Sequence, residues 1–384
     1  MMRSIFFAVM LLGVLSLAAI SQYGLLYLSI EPSSINRALG GDVVGCVNVW
    51  HPNPLTFYAN PAIGAFHDGL AWGSTHDKWG DNWGLESPQY YDASILSFGY
   101  RGLSLLSSVS NQNDYQGISF DSGLQTFLNE AAVEIGEAHL IDRASFYGIA
   151  VNPMRLFSGK RRIRRWITDY IDVAAGANFL STEADYFDVQ TETVKTARAK
   201  TINAGGIARW DYTLMNTLGI DLVYGVSHFN INKDKITYGK PQFTDTIWLH
   251  RSQGYGASVT VKAGPFISQY LSKDKIFFEN IVSIRYLNAE LDPLTRESEI
   301  IKAKGTEIGF LDTFFIRNGD YQDKAGHITG KTSGYGIKLG YKKMISFSYN
   351  YAEMPGGELG SPQVSEDYGV TLDLVKIVDR IISN

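Results

Sequence analysis

Stretch after stretch of this chain alternates apolar and polar side chains, each over roughly ten residues, the length a tilted strand needs to cross a bilayer. Tyr255, Ala257, Val259, Val261 and Ala263 take one face, and Gly256, Ser258, Thr260 and Lys262 the other. Ile345, Phe347, Tyr349 and Tyr351 oppose Ser346, Ser348 and Asn350. Tyr335, Ile337, Leu339 and Tyr341 oppose Gly336, Lys338 and Gly340. Successive side chains of a strand point to opposite faces, so each stretch has one oily face and one of Gly, Ser, Thr and scattered charge. Within hydrocarbon every backbone polar group must be paired, and a closed barrel is the β arrangement that does so. The expected fold class is all-β: a transmembrane antiparallel β-barrel of about fourteen strands, oily face outward. An exported soluble β protein with a structural role also alternates and stays open as a rival.

Composition agrees with the barrel. Gly makes up 38 of 384 residues, Tyr 22 and Phe 20, and charged residues are 19%, below the ~25% of ordinary globular chains. A net charge of −5 argues against a nucleic-acid binder, which is normally basic. The single cysteine, Cys46, excludes an intramolecular disulfide.

The N-terminus reads as an export signal over residues 1–21. Arg3 supplies the positive region, Ile5 to Ile20 the apolar core, and Ala19-Ile20-Ser21 a small-x-small cleavage site. A retained anchor is the other reading, because Tyr23 to Ile30 is again apolar. Residues 22–91 are dense in Gly and Pro, among them Gly40, Gly41, Pro54, Pro61 and Pro88, which marks irregular backbone or short helices. Regular alternation takes over in residues 92–375. Val223 and Ile207 fall on polar faces and Asp312 on an apolar one, so the pattern has exceptions. Connections 213–217 and 342–344 are short, whereas 180–199, 229–246, 291–304 and 317–333 are long and polar. Two long ones in succession at 291–304 and 317–333 imply a missed strand or an enlarged inner turn. Residues 376–384 form a C-terminal tail, with helical spacing at Leu374, Ile377, Val378, Ile381 and Ile382, or else a frayed end of the last strand.

Near the N-terminus the chain reads Asn36-Arg37-Ala38-Leu39-Gly40-Gly41-Asp42, then Asn53-Pro54-Leu55-Thr56-Phe57-Tyr58-Ala59-Asn60-Pro61-Ala62. Near the end it reads Gly334-Tyr335-Gly336-Ile337-Lys338-Leu339-Gly340, then Phe347-Ser348-Tyr349-Asn350-Tyr351 and Gly357-Glu358-Leu359-Gly360. These stretches resemble the outer-membrane long-chain fatty-acid transporter (FadL) superfamily, and look closest to its PorV/PorQ-like branch. The chain departs from that pattern in placing Ile63 before Gly64, and in ending without a terminal aromatic residue. The resemblance implies an outer-membrane barrel whose N-terminal segment, residues 22–91, folds into the lumen as a hatch. Gly40, Gly41, Asn60, Pro61 and Ala62 carry the hatch motif. Glycine lets backbone approach the wall closely, and Asn60 before Pro61 suits an Asn-capped turn; an ordinary loop turn is the plainer reading. The implied function is an accessory for protein secretion or surface attachment, with outer-membrane lipid and secreted proteins as partners. The alternative is passive transport of a hydrophobic small molecule.

Three further features bear on function. Lys160, Arg161, Arg162, Arg164 and Arg165 beside Trp166 suit lipid phosphates or an acidic partner, or else form a solvated turn. Trp72, Trp79 and Trp83 suit a hydrophobic ligand path near the hatch, or plug packing. His67-Asp68 and His76-Asp77 show no ligand spacing that converges on a metal. No nucleophile elbow, phosphate loop or zinc-protease motif is present, so no enzyme, metal or cofactor is expected.

Overall fold

The computed structural model describes residues 28, 30–41, 49–51, 53–79, 89–128, 134–157, 171–188, 191, 193–239, 244–247, 251–267, 278–292, 299–324, 328–341, 344–356, 362–374 and 376–377. The expected signal segment, most of the C-terminal tail, Trp83 and the whole Lys160–Arg165 cluster lie outside the described residues.

The wall is built from β1 (Gly69–Trp79), β2 (Gln89–Tyr100), β3 (Leu103–Ser108), β4 (Ile118–Leu128), β5 (Glu134–Val151), β6 (Ile171–Asp188), β7 (Thr193–Leu214) and β8 (Leu218–His228). Two short strands follow, β9 (Lys235–Thr237) and β10 (Thr244–Thr246), paired with each other apart from the wall. The wall resumes with β11 (Arg251–Lys262), β12 (Asn280–Asp292), β13 (Ile301–Phe310), β14 (Phe314–Asp323), β15 (Ile328–Tyr341), β16 (Ile345–Met354) and β17 (Gln363–Leu372). Neighbours pair antiparallel, and β1 pairs with both β2 and β17, which closes the ring. Both β3 and β4 pair with β2 and β5, so they form one interrupted stave and the barrel has fourteen.

Side-chain direction is inverted relative to a soluble protein. Val259, Ile284, Ile308, Ile316 and Tyr335 are register partners across β11 to β15, and all five are exposed. Their alternates Ser258, Ser283, Glu307, Arg317 and Thr332 are buried. An apolar belt this continuous is stable only against another apolar phase, and with a polar interior it is the architecture of a transmembrane β-barrel.

Tight turns gather at one end. Arg101-Gly102, Met215-Asn216 and Leu311-Asp312 all have positive φ, the conformation whose twist joins two strands directly. The third of these explains the exceptional Asp312. Residues 311–313 are a turn between β13 and β14 rather than strand, and the Asp312 carboxylate accepts the Glu279 and Asn280 backbone N–H groups. The two adjacent long connections of the sequence therefore flank a hairpin that periodicity had read as one strand. At the opposite, loop end, β5, β6 and β7 run to 18, 18 and 22 residues. The expected loop 180–199 is mostly paired strand, continuing the wall past the belt.

A second correction concerns the hatch boundary. Residues 69–79, assigned to the hatch for their glycines, are the first wall strand, and β2 starts at Gln89. Gly73 faces inward, where a Cβ would lie 2.5 Å from Asn53 Oδ1. The described residues from Leu28 to Phe66 touch β14 to β17 on one side and β5 to β7 nearly opposite. They occupy the lumen.

Candidate functional site: the plugged lumen

Two asparagine-proline turns shape the lumenal segment. Asn53 accepts the Leu55 N–H through its side chain and caps the 3₁₀ turn Pro54–Phe57. Asn60 does the same for Ala62 N–H at the head of Pro61–Phe66. Proline in the first turn lacks an N–H that would go unused there, and its fixed φ already suits the helix. Both amides also reach the wall. Asn60 Nδ2 donates to the carbonyls of Gly206 (3.4 Å) and Val226 (3.2 Å). Asn53 Nδ2 donates to Asp367 at 3.0 Å. Pro61 and Ala62 lie against Gly176, where a Cβ would come within 2.8 Å of the Pro61 carbonyl carbon.

Gly40 and Gly41 follow the helical turn Ser34–Ala38 with φ of 87° and 77°. A Cβ on Gly40 would sit 2.5 Å from the Asp320 carbonyl oxygen and 2.7 Å from that of Lys304. The wall answers with glycines of its own. A Cβ on Gly305 would lie 2.6 Å from the Leu39 carbonyl oxygen, and one on Gly319 2.5 Å from Gly40 N. Backbone meets backbone here because neither side carries a side chain.

Charges tie the segment to the wall at several heights. Arg37 Nη1 donates to Asp77 at 2.6 Å, both side chains buried, and its guanidinium lies over the Tyr91 ring. Trp50 Nε1 donates to Asp221 at 2.6 Å, and Arg209 holds the same carboxylate. His51 Nε2 lies 2.9 Å from Glu307, which Arg285 and Arg317 flank. Burial pushes the His51 imidazole down to about 4, outweighing the pull of Glu307 in the other direction. The network continues from Arg317 to Asn350 (2.9 Å) and from Asn350 to Asp367 (2.7 Å). Asp367 in turn accepts Ser34 N–H at 2.8 Å. A chain of hydrogen bonds thus runs through β12, β13, β14, β16 and β17 and ends in the lumenal segment.

Between these ties the segment packs apolar surface. Leu55, Tyr58 and Ala59 join Phe146, Leu180, Phe229 and Ile236 in one cluster. Ile35, Leu39, Phe57, Ile63 and Phe66 join Ile207, Val223 and Leu287 in another. Val223 and Ile207, out of phase in the sequence, are lumenal residues that meet the plug. A recess beside the charge network, lined by residues including His51, Asn53, Lys338, Ser346 and Asn350, holds about 20 Å³, room for about one water molecule.

Trp72 is a correction. It stands on the outer face of β1, 36% exposed, with Nε1 donating to Ser94 Oγ at 3.0 Å. It therefore lines no lumenal path. Trp79 ends β1, and its side chain lies outside the described residues. The His76 ring meets Asp92 at 2.6 Å rather than Asp77, and among the described residues no group of His, Cys, Asp and Glu converges to hold a metal. Trp50, His51, Arg285, Glu307, Arg317 and Asp367 went unnoticed in the sequence. The available signal was full charge on the lumenal face in mid-strand, where Ser, Thr and Gly are the rule.

No family model and no curated protein matches the sequence. Solved structures do match its shape. The toluene transporter TbuX of Ralstonia pickettii is similar over 89% of this chain and 98% of its own, at 12% identity and a TM-score of 0.41. The toluene transporter TodX of Pseudomonas putida is similar over 90% and 99%, at 10% identity and 0.40. A FadL homologue of Pseudomonas aeruginosa is similar over 89% and 98%, at 9% identity and 0.37.

Proposed function

We propose that this chain is an outer-membrane barrel kept shut by its own N-terminal segment, and that it acts through its loop end as an accessory holding exported proteins. The observation that carries this reading is the fastening of the plug. Buried charge pairs and paired glycines tie it to opposite walls, and apolar clusters fill the space between. Removing one partner of such a buried pair typically costs about 3–5 kcal/mol, so a plug held by several is a fixed part of the wall. The PorV/PorQ-like stretches at 36–62 and 334–360 support the same role.

The second reading is passive passage of a hydrophobic small molecule. The apolar cluster in which Leu55, Tyr58 and Ala59 meet Phe146, Leu180 and Phe229 favours it, as do the toluene transporters among the similar structures. The two readings separate in liposomes. Uptake of a labelled fatty acid should be no faster with the pure protein than without it. Protein-dependent uptake would overturn the accessory reading and install the transporter.

A further inference from the structure

We propose that the loop-end edge of β7 receives an extended acidic segment of a partner protein by strand addition. The proposal rests on reading the barrel as an accessory, and it names the chemistry of what is held.

β7 is paired with β6 from Thr193 to Trp210. On its other side, pairing with β8 begins only at Ala204. The uncovered stretch is treated in two ways. At Lys200 and Ile202 a loop imitates a missing strand. Asn232 Oδ1 accepts Ile202 N–H and its amide donates to the Lys200 carbonyl. Asp234 accepts Lys200 N–H, and Ile231 N–H donates to the Ile202 carbonyl. Successive residues of a strand point their backbone groups to alternate sides. The N–H and C=O groups of Val194, Thr196 and Arg198 therefore face the same way as those of Lys200 and Ile202. Among the described residues nothing pairs with them there. The β9–β10 ribbon pairs only with itself, and β9 packs against β7 without joining its ladder.

A free edge is normally blunted by charged side chains that lean over it. Here they are drawn back onto β6. Arg198 is bonded to Glu183 at 2.8 Å, Thr196 Oγ1 to Asp185 at 2.7 Å, and Lys195 to Asp188. Among the described residues these side chains do not cover the outward main-chain groups of Val194, Thr196 and Arg198. Lys200, Lys233 and Lys235 surround this edge, exposed, and make no ion pair among the described residues. Such an edge gives affinity through main-chain bonds, and three unpaired cations select an acidic strand. A second copy of this chain would bring the same lysines against themselves.

The test uses the full barrel in detergent micelles, with a short synthetic peptide alternating valine and glutamate and a counterpart alternating valine and lysine. The glutamate peptide should slow amide exchange at Val194, Thr196 and Arg198 at least tenfold. Lys195 and Ala197, already bonded to β6, should not change, and the lysine peptide should have no effect. Thr196→Pro should abolish the protection, and because the lost N–H points away from β6, the hairpin should stay folded. The double variant Lys233→Glu/Lys235→Glu should weaken binding at least tenfold while leaving the edge intact. Absence of protection, protection that survives the proline, or self-association through this edge would overturn the proposal. Failure here with no fatty-acid uptake sinks only the edge. Protein-dependent uptake sinks the accessory reading itself.

Discussion

Glu307 binds three groups at once, His51 from the plug and Arg285 and Arg317 from neighbouring strands. Glu307→Gln keeps the shape and removes the charge, leaving two buried guanidinium groups against one neutral amide. The expected loss is about 3–5 kcal/mol, read as a lower denaturant midpoint in micelles; an unchanged midpoint would mean the cluster is hydrated rather than structural. His51 supplies a pH-dependent test. Its folded pKa of about 4 lies below the ordinary 6.5, so the unfolded chain takes up a proton first as pH falls. The stability owed to neutral His51 is complete above about 6.5 and is lost as pH drops toward 4. The thermal midpoint should therefore fall less steeply over that window in His51→Gln than in the parent; equal slopes would discount the residue. At Gly40 the constraint is space. A side chain there meets a left-handed φ, worth roughly 1–2 kcal/mol, and two wall carbonyls closer than contact distance. Gly40→Val should expose Arg37 to trypsin in the micellar barrel, where the parent resists.

Among the elements, the wall strands were the most legible, because a two-residue period survives tilt, twist and length. The misread ones have two physical causes. β1 carries Gly69 and Gly73, and density of glycine suggested irregular chain; yet Gly73 is glycine because Asn53 of the plug lies against that strand. The β13–β14 hairpin hid because Phe310 and Phe314 stay in phase across the bend, so Asp312 read as a lone exception within one strand. A sequence records side-chain direction well and the proximity of another segment poorly, and the plug acts on the wall only through proximity. The capped turns were legible by contrast, since Asn before Pro is a local signal. Asn53→Ala and Asn60→Ala should each cost ~1 kcal/mol for the lost cap. Each should cost more than an exposed cap does, because each amide also bonds the wall. If the two variants add like distant sites, the turns are independent fasteners. A coupling beyond about 0.5 kcal/mol would make them one unit.

For the molecule as a whole, the decisive matter is what surrounds the apolar belt, and one outward position tests it. Tyr349 pairs across the sheet with Ile337 and Tyr368, and its ring contacts those of Tyr335 and Tyr368. If hydrocarbon lies beyond, Tyr349→Arg places a charge in it at a cost of about 2–4 kcal/mol. On the outer face the Glu366 carboxylate bonds Tyr349 and would pair with that charge, so the variant is read with Glu366→Gln in place. Ser333, on the outer face of β15 and nearer the loop end, pairs with Glu353 at the belt's polar margin. Arginine costs only about 0–1 kcal/mol at such an interface. Folding into lipid vesicles should therefore fail or slow markedly for Tyr349→Arg and proceed normally for Ser333→Arg. Both variants should behave alike in urea without lipid, where the chain is unfolded in either case. Equal insertion of the two would mean that the belt meets something other than lipid, and the barrel would then have to be a soluble protein with its oily face covered by a partner.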